Sequence, residues 1–492
     1  MPSVLKHIPA AVLLSMLLSC GCGKQAASGE YRPESIYVAQ TELSMQPGDK
    51  VQLVAKPVPS IAGTLAFSWE SSDNTVATVS DGLVEAVSEG QATVTVSYLN
   101  LSTRVEVSVR AEKSTGAVLY NTKLDSDNKP DDVLLNGAAS YNADGLLVNK
   151  TAGLVKLNRF YALGERLVRY RIVPSDDAVC IFQAEDGDLQ VTLDIPGKKV
   201  SILTSPVTSR EVEFLAGGKE FDVEVQHIYQ NAVVRVVDVQ SGREASLSAT
   251  NDGRGGCGKG AVGPGFYVGP GWDYYCFGLR EGSSMLVERI TVESFKDKVK
   301  LLIYGDSISQ PECYYPTADF PEAYTQLLIA GLGGSAMSSG RGGCTIATVS
   351  NFIRNELPYI KADYVMVTIG TNGGNTDENL TALMQYIRDC GSIPILNNMP
   401  CNESGSQNRE DFGGNPVISR VREKLGIKGA LLDRATSLAG DGKEVDKSMM
   451  YWEDYTDYPA PMTGWQIYHH PNPKGGRAMY EQICKDVPEI FN

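Results

Sequence analysis

The hydrophobic periodicity of this 492-residue chain changes near Lys298, and this change constrains the fold more than any other feature. Before it, apolar and polar residues alternate with period two in short runs, a pattern typical of antiparallel strands with one buried face. After it, continuous apolar runs alternate with segments of helical periodicity, which favours a parallel sheet covered by helices on both faces. The sequence therefore predicts a multidomain protein in which all-β regions precede an α/β three-layer domain.

The first 34 residues predict export rather than a folded domain. The apolar run Ile8–Leu18 is too short to span a bilayer as a helix. It leads into Leu17-Leu18-Ser19-Cys20, which resembles the lipobox of bacterial lipoproteins. The resemblance implies that Cys20 becomes the lipid-anchored N-terminus. Since Gly21 follows and not Asp, it also implies the outer membrane of a bacterial cell envelope. A plain secretory signal is the alternative, and residues 24–34 are expected to form a tether.

Residues 35–112 predict a small antiparallel sandwich. The run Val51-Gln-Leu-Val-Ala alternates with period two, and turn signals such as Asp81-Gly82 recur between such runs. The stretch Phe67-Ser-Trp-Glu-Ser-Ser-Asp-Asn-Thr-Val-Ala-Thr-Val, followed by Gly82-Leu-Val-Glu-Ala, resembles the group 2 bacterial immunoglobulin-like domain. The resemblance implies that Trp69 belongs to the core and that the domain acts as a spacer or adhesion module.

Residues 113–296 predict a larger jelly-roll or lectin-like sandwich, because period-two runs such as Arg166-Leu-Val-Arg-Tyr-Arg-Ile-Val recur without helical periodicity. His227 lies in such a run and is expected to be structural. The Gly-rich stretch 253–271 predicts a loop. Aromatic residues within and just after it could stack on sugar rings, although capping of the core is the favoured interpretation; they are Phe266, Tyr267, Trp272, Tyr274 and Tyr275.

Residues 297–492 predict the α/β domain. Four apolar strands are expected, at Val299-Lys-Leu-Leu-Ile-Tyr, Tyr364-Val-Met-Val-Thr-Ile, Ile393-Pro-Ile-Leu-Asn and Gly429-Ala-Leu-Leu-Asp. Helical patterns cover 321–330, 345–360, 376–390, 416–425 and 473–487. Sites in parallel sheets lie at the carboxyl ends of the strands. Ser307, Gly370 and Asn397 all follow predicted strands, so we expect them near one edge of the sheet.

Ser307 is the candidate nucleophile, because it directly follows a buried strand in a Gly-Asp-Ser turn. A serine hydroxyl needs a base to take its proton, and this base is usually histidine. The chain has four histidines; His7 falls in the signal and His227 in the sandwich. The candidate base is therefore His469 or His470, just before the last predicted helix.

Two Gly-rich segments predict donors for an oxyanion. Ser339-Gly-Arg-Gly-Gly343-Cys-Thr opens a predicted helix, where free backbone N–H groups converge, and Gly370-Thr-Asn372-Gly offers a side-chain amide. With Ser307 and His470 these segments resemble the four sequence blocks of the SGNH (GDSL) hydrolase family. The resemblance covers about residues 298–492. It implies that Ser307 is the nucleophile, that Gly343 and Asn372 are oxyanion donors, and that His470 is the base.

The last block departs from the family pattern. It usually reads Asp-x-x-His, where the Asp orients the imidazole, but Ile467 stands three residues before His470. Asp454 or Asp457 could supply the acid, a backbone carbonyl could hold the ring, or the pair could work as a Ser–His dyad. Asp306 is expected to be a turn residue, and Arg341 is expected to face solvent.

The cysteine pattern favours neither a zinc site nor a particular set of disulfides. Export permits disulfides, but the sequence does not choose a pairing. No CxxC pair occurs among the eight cysteines that follow the signal, which are Cys180, Cys257, Cys276, Cys313, Cys344, Cys390, Cys401 and Cys484.

These features predict an exported serine esterase that removes small acyl groups, acetyl being favoured, from a glycan through a Ser–His acyl-enzyme. The mechanism requires no cofactor and no metal. A formal charge of −15 disfavours nucleic acid as a partner, because the phosphate backbone is repelled. The glycan is inferred from the surface anchor, the sandwiches and the polar loop after Leu396. The alternative is a non-catalytic glycan-binding surface lipoprotein with a degenerate hydrolase domain.

Overall fold

A computed structural model describes residues 33–38, 42–45, 47–48, 50–58, 65–109, 116–184, 189–203, 207–229, 231–250, 275–314, 317–451 and 467–492. These residues form an N-terminal β region (33–109), a central sandwich (116–295) and a C-terminal α/β region (296–492). In this part of the chain, no helix has the length and apolar character that a membrane crossing requires.

The N-terminal β region is a small sandwich built from period-two strands. Its strands are β1 Ser35–Val38, β2 Glu42–Met45, β3 Lys50–Gln52, β4 Ala55–Val58, β5 Ser68–Ser71, β6 Ala77–Ser80, β7 Leu83–Ala86, β8 Gly90–Tyr98 and β9 Leu101–Val109. They pair in the orders β2-β9-β8-β5, β3-β7-β6 and β1-β4. Alternate residues of β8 and β9, such as Val94 and Val105, are fully buried. Trp69 is half-buried and packs against the margin of this core, so it belongs to the core only in part.

The central sandwich consists of two antiparallel sheets. Its strands are β10 Val118–Lys123, β11 Val133–Leu134, β12 Ala139–Tyr141, β13 Leu146–Val148, β14 Val155–Leu157, β15 Glu165–Pro174, β16 Val179–Ala184, β17 Val191–Asp194, β18 Lys199–Ile202, β19 Thr208–Glu211, β20 Phe221–Ile228, β21 Asn231–Asp238, β22 Glu244–Thr250, β23 Tyr275–Glu281 and β24 Met285–Ser294. One sheet has the order β12-β13-β24-β15-β20-β21-β22, with β10 also on β24, and the other has the order β11-β14-β23-β16-β17-β18-β19. The ring of Tyr170, from the first sheet, packs 4.8 Å from Phe182 and 5.3 Å from Phe277 of the second.

The C-terminal α/β region is built on a parallel sheet. Its strands are β25 Lys298–Gly305, β26 Ala336–Gly340, β27 Lys361–Thr368, β28 Ile393–Leu396, β29 Met450–Tyr451 and β30 Ile467–Pro471. Its helices are α1 Tyr324–Gly331, α2 Ile346–Glu356, α3 Asp377–Asp389, α4 Asn415–Leu425, α5 Leu432–Ala435 and α6 Pro473–Asp486. The sheet order is β26-β25-β27-β28, all parallel, and β29 and β30 form a separate antiparallel ribbon.

Both faces of the parallel sheet are buried, which explains the continuous apolar run in β25. Leu302 and Tyr304 pack on the side of α2, α3 and α4, whereas Leu301 and Ile303 pack on the side of α1 and α6. The chain order reverses between β25 and β27, and such a reversal opens a crevice at the carboxyl ends of the strands.

Two local predictions for this region are wrong. Ser339 and Gly340, assigned to the Gly-rich segment before a helix, instead end strand β26, whose small residues Ala336-Met-Ser-Ser-Gly carry little strand signal. The strand expected from Gly429 reduces to a single parallel bridge between Lys428 and Ile395, since α5 already begins at Leu432.

The three regions pack against one another. Lys56 of β4 forms a buried ion pair with Asp319 of the α/β region, with a distance of 2.5 Å between Nζ and Oδ1. The ring of Phe160, from the central sandwich, lies edge-on to Phe352 of α2 with centroids 4.4 Å apart. Buried residues of the sandwich and of the helices around α2 belong to one continuous apolar core.

Candidate active site

The turn after β25 presents Ser307 at the edge of the sheet. Ser307 begins a 3-10 helix that ends at Ser309, and Asp306 caps this helix by accepting a hydrogen bond from the Ile308 N–H at 3.0 Å. Gly305 must be glycine because a Cβ there would lie 2.2 Å from Ser309 Oγ. The turn is therefore closed tightly on the end of its own strand.

Asp306 also ties this turn to the next loop of the sheet. Its Oδ2 accepts a hydrogen bond from the Thr371 N–H at 3.2 Å, one residue before Asn372. The carboxyl is 1 % exposed, and burial raises its pKa to about 6, opposed by the N–H bonds that favour the carboxylate. Asp306 thus holds the ends of β25 and β27 together.

His470 is brought to Ser307 by the β29–β30 ribbon. The distance between His470 Nε2 and Ser307 Oγ is 2.7 Å, and both residues are buried. Asn472, two residues later, donates to the carbonyls of Ser448 at 3.0 Å and Met450 at 2.9 Å. These bonds anchor the backbone that carries the imidazole.

The imidazole of His470 is set up as a neutral base. Burial, with a smaller effect from the neighbouring His469, lowers the pKa of His470 well below its usual 6.5. In the tautomer that serves as a base, Nε2 accepts from the Ser307 hydroxyl and the ring carries its proton on Nδ1. Among the described residues, Nδ1 has no hydrogen-bond partner. Asp454 and Asp457, named above as one of the alternatives for orienting it, lie outside the described residues.

His469 occupies a different position. Its Nδ1 lies 3.4 Å from Glu403 Oε1, and its ring stands nearly perpendicular to that of His470 with centroids 4.7 Å apart. The same contact lowers the pKa of Glu403. Sequence reasoning did not single out Glu403, although it lies in the polar loop after β28 that was assigned to sugar. The structure therefore places His470, rather than His469, against Ser307.

Gly343 lies in the loop between β26 and α2, at a φ of +69°. Two bonds tie this loop to the Ser307 turn: Gly342 N–H donates to Gln310 Oε1 at 2.7 Å, and Arg341 N–H donates to Gly305 O at 3.1 Å. Gly343 is exposed, and none of the hydrogen bonds within the described residues uses its N–H. This donor is available to a bound oxygen. The role of Gln310 gave no recognisable signal in the sequence.

Asn372 is also held close to this loop. Its Nδ2 donates to Cys344 O at 2.9 Å, and the second N–H of the amide extends from an exposed side chain. Bonds from Asp306 to Thr371 and from Asn372 to Cys344 thus connect the three loops that carry Ser307, Gly343 and Asn372. The chemistry that this arrangement permits is nucleophilic attack by a hydroxyl beside a neutral base and several N–H donors.

The expectation that Arg341 faces solvent is wrong. The side chain is 1 % exposed, and its Nη1 donates to Gly340 O at 2.8 Å. Its charge helps to lower the pKa of His227 in the central sandwich, after the larger effect of burial. Arg341 is therefore buried, close enough to the central sandwich to act on the charge of His227.

The cysteines divide into two groups. Cys313, six residues after Ser307, is disulfide-bonded. The described cysteines that are not disulfide-bonded are Cys180, Cys276, Cys344, Cys390, Cys401 and Cys484.

A family model described as bacterial Ig-like domain (group 2) matches residues 34–109, which confirms the predicted immunoglobulin-like domain. No curated protein matches the chain. Among solved structures, a GDSL-like lipase from Bacteroides thetaiotaomicron is 13% identical over 38% of this chain and 86% of its own, with a TM-score of 0.28. An acetyl xylan esterase from Geobacillus stearothermophilus is 16% identical over 38% of this chain and 93% of its own, with a TM-score of 0.28. Lectin II from Ulex europaeus is 13% identical over 37% of this chain and 99% of its own, with a TM-score of 0.27. At these TM-scores the three likenesses carry no argument about activity.

Proposed function

We propose that this chain is an exported, lipid-anchored serine esterase that removes small acyl groups, acetyl being favoured, from a glycan. The observation that carries the proposal is the 2.7 Å contact between Ser307 Oγ and His470 Nε2, formed across 163 residues of sequence. A structural serine has no need of a buried, neutral imidazole at its hydroxyl. A nucleophilic serine requires a base to take its proton, and a neutral imidazole at its hydroxyl can serve as that base.

In the proposed reaction, Ser307 Oγ attacks the ester carbonyl while its proton passes to His470 Nε2. The tetrahedral intermediate collapses to an acyl-serine, and the sugar alcohol leaves with the proton from Nε2. Water then attacks the acyl-serine, again giving a proton to Nε2. This proton returns to Ser307 Oγ as the free acid departs. Each cycle restores the neutral imidazole that burial favours.

The oxyanion is proposed to bind between the N–H of Ser307, the N–H of Gly343 and the second N–H of the Asn372 amide. The Ser307 N–H has no acceptor within its own 3-10 helix, because it is the first residue there. Removal of one donor of this kind costs roughly 10²–10³ in kcat in other hydrolases. The three donors lie on loops that the Asp306 and Asn372 bonds hold together.

The alternative function, glycan binding without catalysis, is favoured by one observation. In the described part of the chain, Nδ1 of His470 has no acceptor. Loss of the orienting acid in triad enzymes costs about 10⁴ in kcat. A low activity is therefore the expected outcome if no group outside the described residues takes this role.

Hydrolysis of an aryl acetate by the full chain separates the two functions. We expect Ser307→Ala to lose at least about 10³-fold in kcat, whereas Ser350→Ala, on the partly exposed face of α2, keeps the wild-type rate. A wild type no faster than Ser307→Ala would leave only glycan binding. Acetate release from a panel of acetylated polysaccharides then identifies the sugar.

A further inference from the structure

Strand β26 lies at the end of the parallel sheet, and an end strand leaves backbone groups without a partner strand. The central sandwich covers this edge at one residue. Gly164 N–H donates to Ser338 O at 2.8 Å, and the Tyr229 hydroxyl accepts a hydrogen bond from Ser338 N–H at 3.1 Å. Both backbone groups of Ser338 are thus taken up by residues from another part of the chain.

The two sandwich residues are fitted to each other. Tyr229 N–H donates to Gly164 O at 2.7 Å, and a Cβ at Gly164 would lie only 2.0 Å from the Tyr229 ring. Tyr229 is 2% exposed, so its ring cannot move aside into solvent. Only glycine permits the tyrosine hydroxyl to reach the strand edge.

Ser338 connects this edge to the nucleophile. Its Oγ donates to Ser309 O at 3.0 Å, in the 3-10 helix that begins at Ser307. Two residues later, a Cβ at Gly340 would lie 2.3 Å from Ser309 C, so strand and helix are in close contact. The same strand then continues into the loop of Gly343. A shift of β26 would move the nucleophile turn and the oxyanion loop together.

A second contact supports the same edge. Glu356, at the end of α2, accepts hydrogen bonds from the N–H groups of Ala162 and Leu163 in the sandwich, the latter at 3.2 Å. Its other oxygen accepts from Ser339 Oγ at 3.1 Å. The carboxyl is fully buried and cannot bond to water, so its hydrogen bonds to the sandwich and to β26 have to satisfy it.

We infer that the central sandwich positions the catalytic centre, with Tyr229 and Gly164 as positioning residues that hold β26 in register with the nucleophile turn. This inference rests on the proposed esterase function. It assigns to the sandwich a part in the reaction rate that is independent of any affinity for glycan. No described hydrogen bond joins either residue to Ser307 or His470, and Ser338 links them by hydrogen bonds to the nucleophile turn.

The test compares Tyr229→Phe with Tyr170→Phe in the full chain. Tyr170→Phe is the matched control, because this buried tyrosine packs on Phe182 and Phe277 inside the sandwich core. We expect Tyr229→Phe to lower kcat on an aryl acetate by about three- to tenfold with KM unchanged, as loss of one positioning hydrogen bond would. Amide hydrogen exchange in residues 336–343 should become faster in Tyr229→Phe and stay unchanged in Tyr170→Phe.

A second variant keeps the test decisive. Gly164→Ala should displace the Tyr229 ring and lower kcat at least as much as Tyr229→Phe, with the same local increase in exchange. An unchanged kcat or unchanged exchange in Tyr229→Phe would overturn the inference, as would equal losses in both tyrosine variants. Absence of any difference between wild type and Ser307→Ala would instead overturn the proposed function, and the exchange measurement would still decide whether the sandwich holds β26.

Discussion

The nucleophile and the base of the candidate site are held in different ways. The Ser307 turn is fixed by a buried polar network: Ser309 Oγ lies 2.6 Å from the Tyr324 hydroxyl, which donates to Thr368 Oγ1 at 3.1 Å. Asp306 adds bonds on the other side of the turn. The backbone of His470 is anchored through Asn472, but among the described residues its ring makes one hydrogen bond, to Ser307.

This difference teaches that position and orientation are separate requirements in a Ser–His pair. Several buried hydrogen bonds hold the serine turn from different sides. The imidazole depends on packing and on its backbone, and its charged form has no described partner at Nδ1. The catalytic consequences of mutation should therefore be greatest on the histidine side.

The largest effect is expected from His470→Gln. Glutamine retains a polar side chain but cannot take the serine proton at neutral pH, so kcat on an aryl acetate should fall by about 10³-fold or more. His469→Gln is the control. It removes the contact with Glu403 and should change kcat by less than about fivefold, because His469 does not face Ser307. Equal losses in both variants would contradict the assignment of the base.

The next effect tests the serine side. Asp306→Asn keeps the shape of the side chain. Its NH2 group cannot accept a hydrogen bond, so it would face either the Ile308 or the Thr371 N–H without bonding to it. We expect about 1–3 kcal/mol lower unfolding free energy and a kcat lower by roughly tenfold. Chemical denaturation and steady-state kinetics measure the two quantities. Asp363→Asn, at an exposed position, should leave both unchanged; an equal effect there would show that charge alone is responsible.

A smaller effect is expected from Asn472→Ala, which tests the backbone anchor of the base. Asn472 caps α6 and also binds the β29 backbone. Loss of the cap should cost about 1–2 kcal/mol of stability. Without its bonds to the backbone near β29, β30 should hold His470 less firmly, and kcat should fall several-fold. Thr376→Ala removes the cap of α3. This variant should lower the stability by a similar amount without changing kcat. Thermal unfolding and steady-state kinetics measure the two quantities, and an equal fall of kcat in both variants would contradict the anchoring role of Asn472.

The smallest effect concerns pH. Catalysis requires neutral His470, and burial lowers its pKa below 6.5, so the acidic limb of kcat/KM should lie below pH 6.5. In the unfolded chain this histidine binds a proton more strongly than in the folded chain, so its contribution to stability decreases as pH falls below 6.5. His470→Gln should weaken that acid dependence of the unfolding free energy. An acidic limb at or above pH 6.5 would contradict the predicted shift.

Local patterns were sufficient for most of the fold. Period-two alternation predicted the β-rich regions and continuous apolar runs predicted the parallel strands, and the structure confirms both kinds of sheet. The errors fall where the local signal is weak or the outcome depends on packing. The residues of β26 are small, and the burial of Arg341 depends on tertiary packing that no local pattern reveals.

The candidate site shows the same division. Its four residues were identified from short segments that resemble a known family: Ser307 and Asn372 follow predicted strands, whereas Gly343 and His470 precede predicted helices. Their catalytic roles stay predictions. The sequence left both His469 and His470 open from residue chemistry alone. It gave no sign of Gln310, Glu403 or Tyr229, which act through residues distant in the chain.

Local sequence was enough to predict most strands and helices and the reactive or donor groups near their ends, because those properties depend on a few neighbouring residues. Only the tertiary structure decided which histidine meets Ser307, what surrounds its imidazole and how the sandwich supports an end strand. Such contacts depend on the relative placement of elements separated by more than a hundred residues, and this placement is set by burial of the whole core rather than by any local pattern.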